Sequence, residues 1–157
     1  MVKLSEINES NYPAAAGLSV SEQQKGYLDS PVGIIARGYV YRCCRAKVYA
    51  IEDEGHVVGL ALIKDLEDEP ACYDLQQFLI DERYQGKGLG SEALSLLLSS
   101  LEKERRFDCV EVCVNKSNAP ALRLFQKAGF ADTGYTDPEL PDCVNLRYTF
   151  AALHSAD

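Results

Sequence analysis

Apolar residues fall on two periods along this chain, and the switching between them outlines a fold. Residues 2–7 alternate apolar and polar weakly, as a first strand does. Residues 10–29 are mixed and predict one or two short helices with turns. Ser30-Pro31 reads as an N-cap with proline at the first helical position. Behind it Val32, Ile35, Ala36, Tyr39 and Val40 recur at helical spacing, weakened but not broken by Gly33 and Gly38. Residues 47–51 and 57–63 are β-rich runs around Asp53-Glu54-Gly55-His56, which predicts a hairpin. An acidic loop at 65–70 precedes another strand at 71–80.

From Leu89 the period lengthens again. Ala93, Leu97 and Leu101, with Leu94 and Leu98 alongside, oppose Glu92, Ser95, Ser99 and Glu102, an amphipathic helix of about five turns. Residues 109–114 alternate as a half-buried strand. Residues 118–128 form a short helix, with Pro120 tolerated in its first turn and Gly129 just past its end. Strands at 130–136 and 143–150, joined by the turn 137–142, close the chain. The order β-α-α-β-β-β-α-β-α-β-β predicts a mixed sheet with helices packed on it, an α/β (α+β) fold. At 157 residues the expectation is one domain over 1–157.

Composition narrows the function. With 46% hydrophobic and 25% charged residues the chain reads as an ordinary globular protein. No apolar run approaches the ~20 residues of a membrane span, and the N-terminus lacks the apolar core of a signal peptide. No membrane partner and a cytoplasmic location are expected. A net charge of −8 argues against a nucleic-acid partner. An acidic surface suits a cationic small molecule instead, although solubility alone would explain it. The six cysteines (Cys43, Cys44, Cys72, Cys109, Cys113, Cys143) include no C-x-x-C pair, and His56 and His154 sit in no ligand spacing. They read as reduced thiols, and no metal is expected.

The junction between strand 71–80 and the long helix carries Gln85-Gly86-Lys87-Gly88-Leu89-Gly90. Glycines at alternate positions allow a tight turn and bring bare N–H groups against an anion. The helix that starts there adds its unpaired N–H groups and the positive end of its dipole. A Walker A loop is absent, and the dinucleotide fingerprint fails because the third glycine comes one residue early.

The run instead resembles [QR]-x-x-G-x-[GA], the acetyl-coenzyme A loop of the GNAT acetyltransferases. Asn118-Ala-Pro-Ala-Leu-Arg-Leu-Phe-Gln-Lys-Ala-Gly-Phe130 is similar to that family's N-x-x-A-x-x-L-[YF]-x-x-x-G-F helix at every consensus position. The order and separation of the two motifs match as well, and the resemblance covers nearly the whole chain. Leu18-Ser-Val-Ser-Glu-Gln-Gln24, the run 80–90 and the length resemble the family's bacterial spermine/spermidine N-acetyltransferase branch.

The resemblance implies a mixed, mostly antiparallel central sheet whose parallel fourth and fifth strands, about 74–81 and 109–114, splay apart, with helices on both faces. It implies acetyl-coenzyme A as cosubstrate, its pantetheine filling the gap like an extra strand. Phe78, Leu79 and Ile80 would contact pantetheine. Gln85, Gly86, Lys87, Gly88, Leu89 and Gly90 would cradle the pyrophosphate, with Ser91 at the following turn. Lys87 either adds charge to the phosphates or is solvated. Asn118 either contacts the pantetheine arm or is a plain N-cap.

The implied reaction is acetyl transfer to a primary amine of a small cationic acceptor, with spermine or spermidine as candidates. It needs a route for the ammonium proton and donors for the oxyanion and the leaving thiolate. Two departures stand out. Gln76, followed by Gln77, occupies the position where polyamine relatives often carry a carboxylate, and glutamine cannot accept a proton. Phe125 occupies the position of a tyrosine near the coenzyme sulfur. Asp74 or Glu82 could relay the proton through water. Tyr135, Tyr73 or Tyr27 could replace the acid, or positioning alone could suffice.

The acceptor cleft is expected between the N-terminal helices and the terminal hairpin. Gln76, Asp137 and Glu139, together with Asp132 and Asp142, would face the amine there, unless the hairpin carboxylates form a solvated turn. Other readings are a different amine acceptor (amino acid, aminoglycoside, protein N-terminus), a non-catalytic acyl-coenzyme A-binding regulatory domain, or a nucleotide-binding protein. A homodimer is expected by analogy with the family.

Overall fold

The computed structural model describes residues 1–153; His154 lies outside the described residues. Seven strands make one sheet: β1 (Val2–Glu6), β2 (Lys47–Asp53), β3 (His56–Leu66), β4 (Cys72–Ile80), β5 (Cys109–Asn115), β6 (Ala131–Asp132) and β7 (Cys143–Thr149). Among the described residues four α-helices accompany them, α1 (Tyr12–Ala16), α2 (Pro31–Val40), α3 (Leu89–Glu104) and α4 (Ala119–Ala128), with short 3-10 turns at Arg42–Cys44 and Glu82–Tyr84. The spatial order is β1-β2-β3-β4-β5-β7-β6. Every neighbouring pair is antiparallel except β4 and β5, which are parallel.

Local chemistry sets most element boundaries. Ser30 Oγ accepts the Gly33 N–H at 3.0 Å to open α2, and Asn118 Oδ1 accepts the Ala121 N–H at 3.4 Å to open α4. Gly129, at φ 109°, ends α4 in the left-handed region where a side chain is costly. Alternation along β4 and β5 divides the core between the two faces. Tyr73, Leu75, Val110, Val112 and Val114 pack with Leu94, Leu97, Leu98 and Leu101 of α3 and Phe125 of α4. Leu60, Leu62 and Leu79 point the other way, against Ala15 of α1 and Ile34 of α2. Each buried leucine of α3 contributes roughly 1.5–3 kcal/mol to holding that helix on the sheet.

Two expectations from the pattern need correction. Strand β3 runs on through Asp65 to Leu66, because Asp65 is buried and paired with Arg106 at 2.5 Å rather than solvated in an acidic loop. The expected strand 130–136 shrinks to two residues. Asp132 Oδ1 accepts the Gly134 N–H at 2.8 Å and Gly134 takes φ 77°, which turns the chain away from β7. Within 10–29 a single short helix forms, followed by turns.

The feature that matters for function is the β4–β5 seam. The two strands are in register only at Tyr73↔Val110 and Asp74↔Glu111. Beyond Asp74 the β5-facing edge of β4 has no strand partner. On its other edge β4 pairs with β3 as far as Gly59↔Ile80, with a bulge between Leu62 and Ile63 that leaves Gln76 as the extra residue.

Candidate active site

The glycine run folds as the sequence requires of an anion cradle. Gly86 and Gly88 take φ 76° and 80°, and a Cβ on either would meet nothing within 4 Å, so both flank open space. Gly88 precedes α3 and offers no side-chain cap, and the first helical hydrogen bond is Glu92 N–H to Gly88 O at 3.1 Å. The N–H groups of Leu89, Gly90 and Ser91 therefore enter the helix without helical acceptors. They line a cleft of about 310 Å³ together with Gln85, Gly86 and Gly88. Phe78, Leu79 and Ile80 form its floor and Asn118 its far wall. The donor set of this cleft fits a diphosphate at one end and a thin, amide-bearing chain along the open β4 edge.

Two of the residues expected around the coenzyme stand apart from the cleft lining. Lys87 lies outside it, its Nζ 5.6 Å from the centroid of the Tyr84 ring. Phe125 is a core residue behind the cleft, packed edge-on against Phe78 at 6.2 Å and Phe130 at 5.3 Å.

The third wall is a strap from the α1–α2 connection, contributing Val20, Gln24 and Leu28. Its tethers span the seam. Gln24 and Gln85 exchange side-chain hydrogen bonds at 2.9 and 3.3 Å, and Gln85 Nε2 also donates to Ile80 O at 2.7 Å. The Asp29 N–H donates to Gln77 Oε1 on β4 at 3.1 Å. Tyr27 Oη is 2.8 Å from Ser117 Oγ, just past β5, and Ser117 Oγ donates to Asn115 Oδ1 at 2.7 Å. With that proton committed, Tyr27 is the donor to Ser117.

Asp81 anchors the strap from below. Fully buried, it accepts from the Ser19 N–H at 2.9 Å, from the Arg83 N–H at 2.9 Å and from the Arg83 guanidinium at 2.8 Å. Burial alone would raise its carboxyl, but these donors outweigh burial and hold it below the usual carboxylate range. Sequence reading passed over Asp81, whose only signal is its place one residue before Glu82-Arg83.

None of the candidate proton-transfer groups, Asp74, Gln76 and Tyr27 included, lines the cleft itself, and they differ in where they stand around it. Tyr73 is fully buried on the α3 face, where its hydroxyl contacts Leu101 O and accepts the Arg106 N–H at 2.8 Å; that position rules it out as the acid. Glu82 is exposed, bonded to Ser19 Oγ at 3.3 Å, and does not line the cleft. Tyr135 is 61% exposed on the β6–β7 connection and also lies off the cleft lining. Glu139, Asp132 and Asp142 are exposed there too. Asp137 accepts the Glu139 N–H at 2.9 Å, and its charge is felt by the Cys113 thiol on β5. Asp74 stands at the base of the seam, 3.4 Å from Lys64 Nζ. Burial raises its carboxyl despite that ammonium. Beside it, Gln76 has a buried Oε1 with no hydrogen-bond partner. Among the described residues no cluster of three or more His, Cys, Asp or Glu could hold a metal ion, and no helix is long and apolar enough to cross a membrane.

The profile of the Acetyltransferase (GNAT) family matches residues 6–130 of this sequence. The chain belongs to that family. This acetyltransferase is 29% identical over 141 residues to the spermine/spermidine N(1)-acetyltransferase of Bacillus subtilis (strain 168), covering 87% of this chain and 91% of that one. Its fold superposes on the ribosomal-protein-S18-alanine N-acetyltransferase of Escherichia coli with a TM-score of 0.71 at 21% identity, covering 98% and 97% of the two chains. It also superposes on the spermidine N-acetyltransferase of Vibrio cholerae, solved with CoA and spermine, with a TM-score of 0.71 at 14% identity over 94% and 95%. Membership makes the protein an N-acetyltransferase of a family that uses acetyl-coenzyme A.

Proposed function

We propose that residues 1–157 form one catalytic domain that transfers acetyl from acetyl-coenzyme A to a primary amine of a small cationic acceptor, with polyamines the favoured class. The carrying observation is the cleft itself, which joins the Gly86–Gly90 cradle to an unpaired strand edge at the seam. Gly86 to Ser91 bind the diphosphate through N–H groups, Phe78 to Ile80 pair with the pantetheine amides, and Asn118 closes the far side. Bound acetyl-coenzyme A supplies the activated acyl carbon.

The acceptor enters from the α1–α2 face, where Gln76 and Asp74 lie. Gln76 Oε1, lacking any donor of its own, accepts an N–H of the amine and aims its nitrogen. The new C–N bond forms as the C–S bond breaks. The ammonium gives one proton through a water to the Asp74 carboxylate, and the second, shed by the nitrogen as the C–N bond forms, passes through water to the departing thiolate. The polyamine class rests on the substrates named for the Bacillus and Vibrio relatives and on the net charge of −8.

A free-thiol assay with acetyl-coenzyme A and a panel of amines tests this reading. Turnover with spermine or spermidine is expected; turnover only with an amino acid, an aminoglycoside or a peptide N-terminus would replace the acceptor. The cradle has its own test. Gly88→Glu forces a side chain into a left-handed backbone and puts negative charge where the diphosphate sits, so coenzyme A affinity measured calorimetrically should fall at least ~100-fold. Unchanged affinity in the folded variant would refute the assignment.

A further inference from the structure

At the base of the seam, four adjacent strands carry charged residues in a single row. Lys64 on β3 is the register partner of Asp74 on β4, Asp74 of Glu111 on β5, and Glu111 of Arg147 on β7. The outer pairs are closed, with Lys64 Nζ 3.4 Å from Asp74 Oδ2 and Arg147 donating to Glu111 Oε1 at 2.5 and 2.9 Å. The sign pattern is therefore plus, minus, minus, plus. Two carboxylates directly opposite each other across paired strands repel, and a sheet ordinarily avoids the arrangement. Here it falls in the last parallel pair before the strands part, on the face away from α3. Arg147 holds Glu111 in place, and that pair leaves the Glu111 charge standing directly against Asp74.

We propose that Glu111 is a positioning residue for acetyl transfer: with Lys64 and Arg147 it fixes the charge felt by Asp74, the group that receives the acceptor's proton. The inference rests on the reading of Asp74 given above. Lys64 alone would leave Asp74 a weak base, locked in an ion pair. Glu111 opposes that pull from the other side, and Arg147 limits how strongly it does so.

The other groups named around Asp74 are an amide, two thiols and a phenol ring. On its own strand stand Gln76 and Cys72, the latter pushed up to about 12 by burial. On β5 stands Cys113, open to solvent yet ringed by protein, and pushed up to about 12 by desolvation and by its Cys143 neighbour. On the β3 side, the Tyr41 ring lies 5.6 Å beyond the Lys64 ammonium. Burial is the largest influence on Asp74 and raises its carboxyl; the charges that adjust it are those of the row, Lys64 downward and Glu111 upward.

The test is the pH dependence of kcat at saturating acetyl-coenzyme A and acceptor, read from the position of its acid limb and not from its height. Glu111→Gln should move the limb down by at least about half a pH unit, whereas Lys64→Met should move it up. Arg147→Met, which frees the Glu111 charge, should also move it up and serves where Glu111→Gln fails to fold. Shifts of opposite sign cannot arise from loosened packing. Asp74→Asn separates the two layers of the reading: it should abolish the limb and lower kcat by about 100-fold or more. Loss of the limb in Asp74→Asn with no shift in the charge variants would overturn the role of the row and spare Asp74. Retention of both limb and rate in Asp74→Asn would overturn both.

Discussion

Asp81 shows how much one buried carboxylate can organise. It receives donors from the strap, from its own turn and from a guanidinium, so its loss would loosen the cleft wall and the approach to the cradle together. Asp81→Asn, which keeps shape but removes charge, should cost about 1–3 kcal/mol at neutral pH. The sign of the pH dependence follows from the depressed carboxyl: its stabilisation is present above the ordinary Asp value of about 3.9 and is lost as pH falls through the lower folded value. The melting-temperature gap between wild type and variant should therefore close in acid, and a gap that persists unchanged at about pH 3 would contradict the assignment. Asp74 has the opposite sign. Its raised carboxyl favours the folded state most below the ordinary Asp value, and that contribution fades as pH rises.

Strand β4 is the element on which the proposed site is built, since one edge pairs with β3 and the other is unpaired beyond Asp74. Its sheet edge depends on close approach at Gly59, where a Cβ would come within 2.2 Å of Leu79 O. Gly59→Ala should therefore push β3 and β4 apart, costing about 1–3 kcal/mol and lowering the melting point by several degrees in a calorimetric scan. The elements legible in the sequence are those whose own side chains specify them. The Ser30 and Asn118 caps and the leucine stripe of α3 mark helices, and the glycines mark the cradle, because each signal is local. The strap tethers were not legible, since Gln24 meets Gln85 and Tyr27 meets Ser117 only after distant segments fold together. The Lys64–Asp74–Glu111–Arg147 row was hidden for the same reason, as it depends on four strand registers and on a bulge at Gln76. Strand 130–136 was overread because alternation says nothing of the side-chain turn made by Asp132.

Across the whole molecule, the net charge of −8 would act unequally on the two proposed substrates. A polyamine is drawn toward an acidic protein, and added salt screens that attraction over about 10 Å at 0.1 M. Raising ionic strength should increase KM for the polyamine several-fold, and a KM indifferent to salt would leave the charge to solubility alone. The seam carries a different consequence. The sheet is two leaves, β1 to β4 and β5 to β6, whose ladders meet at only two register pairs. Amide hydrogens that face the gap should exchange with deuterated solvent through small local openings, while those of the β3–β4 ladder wait for much larger ones. Coenzyme, by acting as the missing strand, would slow exchange first along that line, so the protein should be stitched shut by its own substrate.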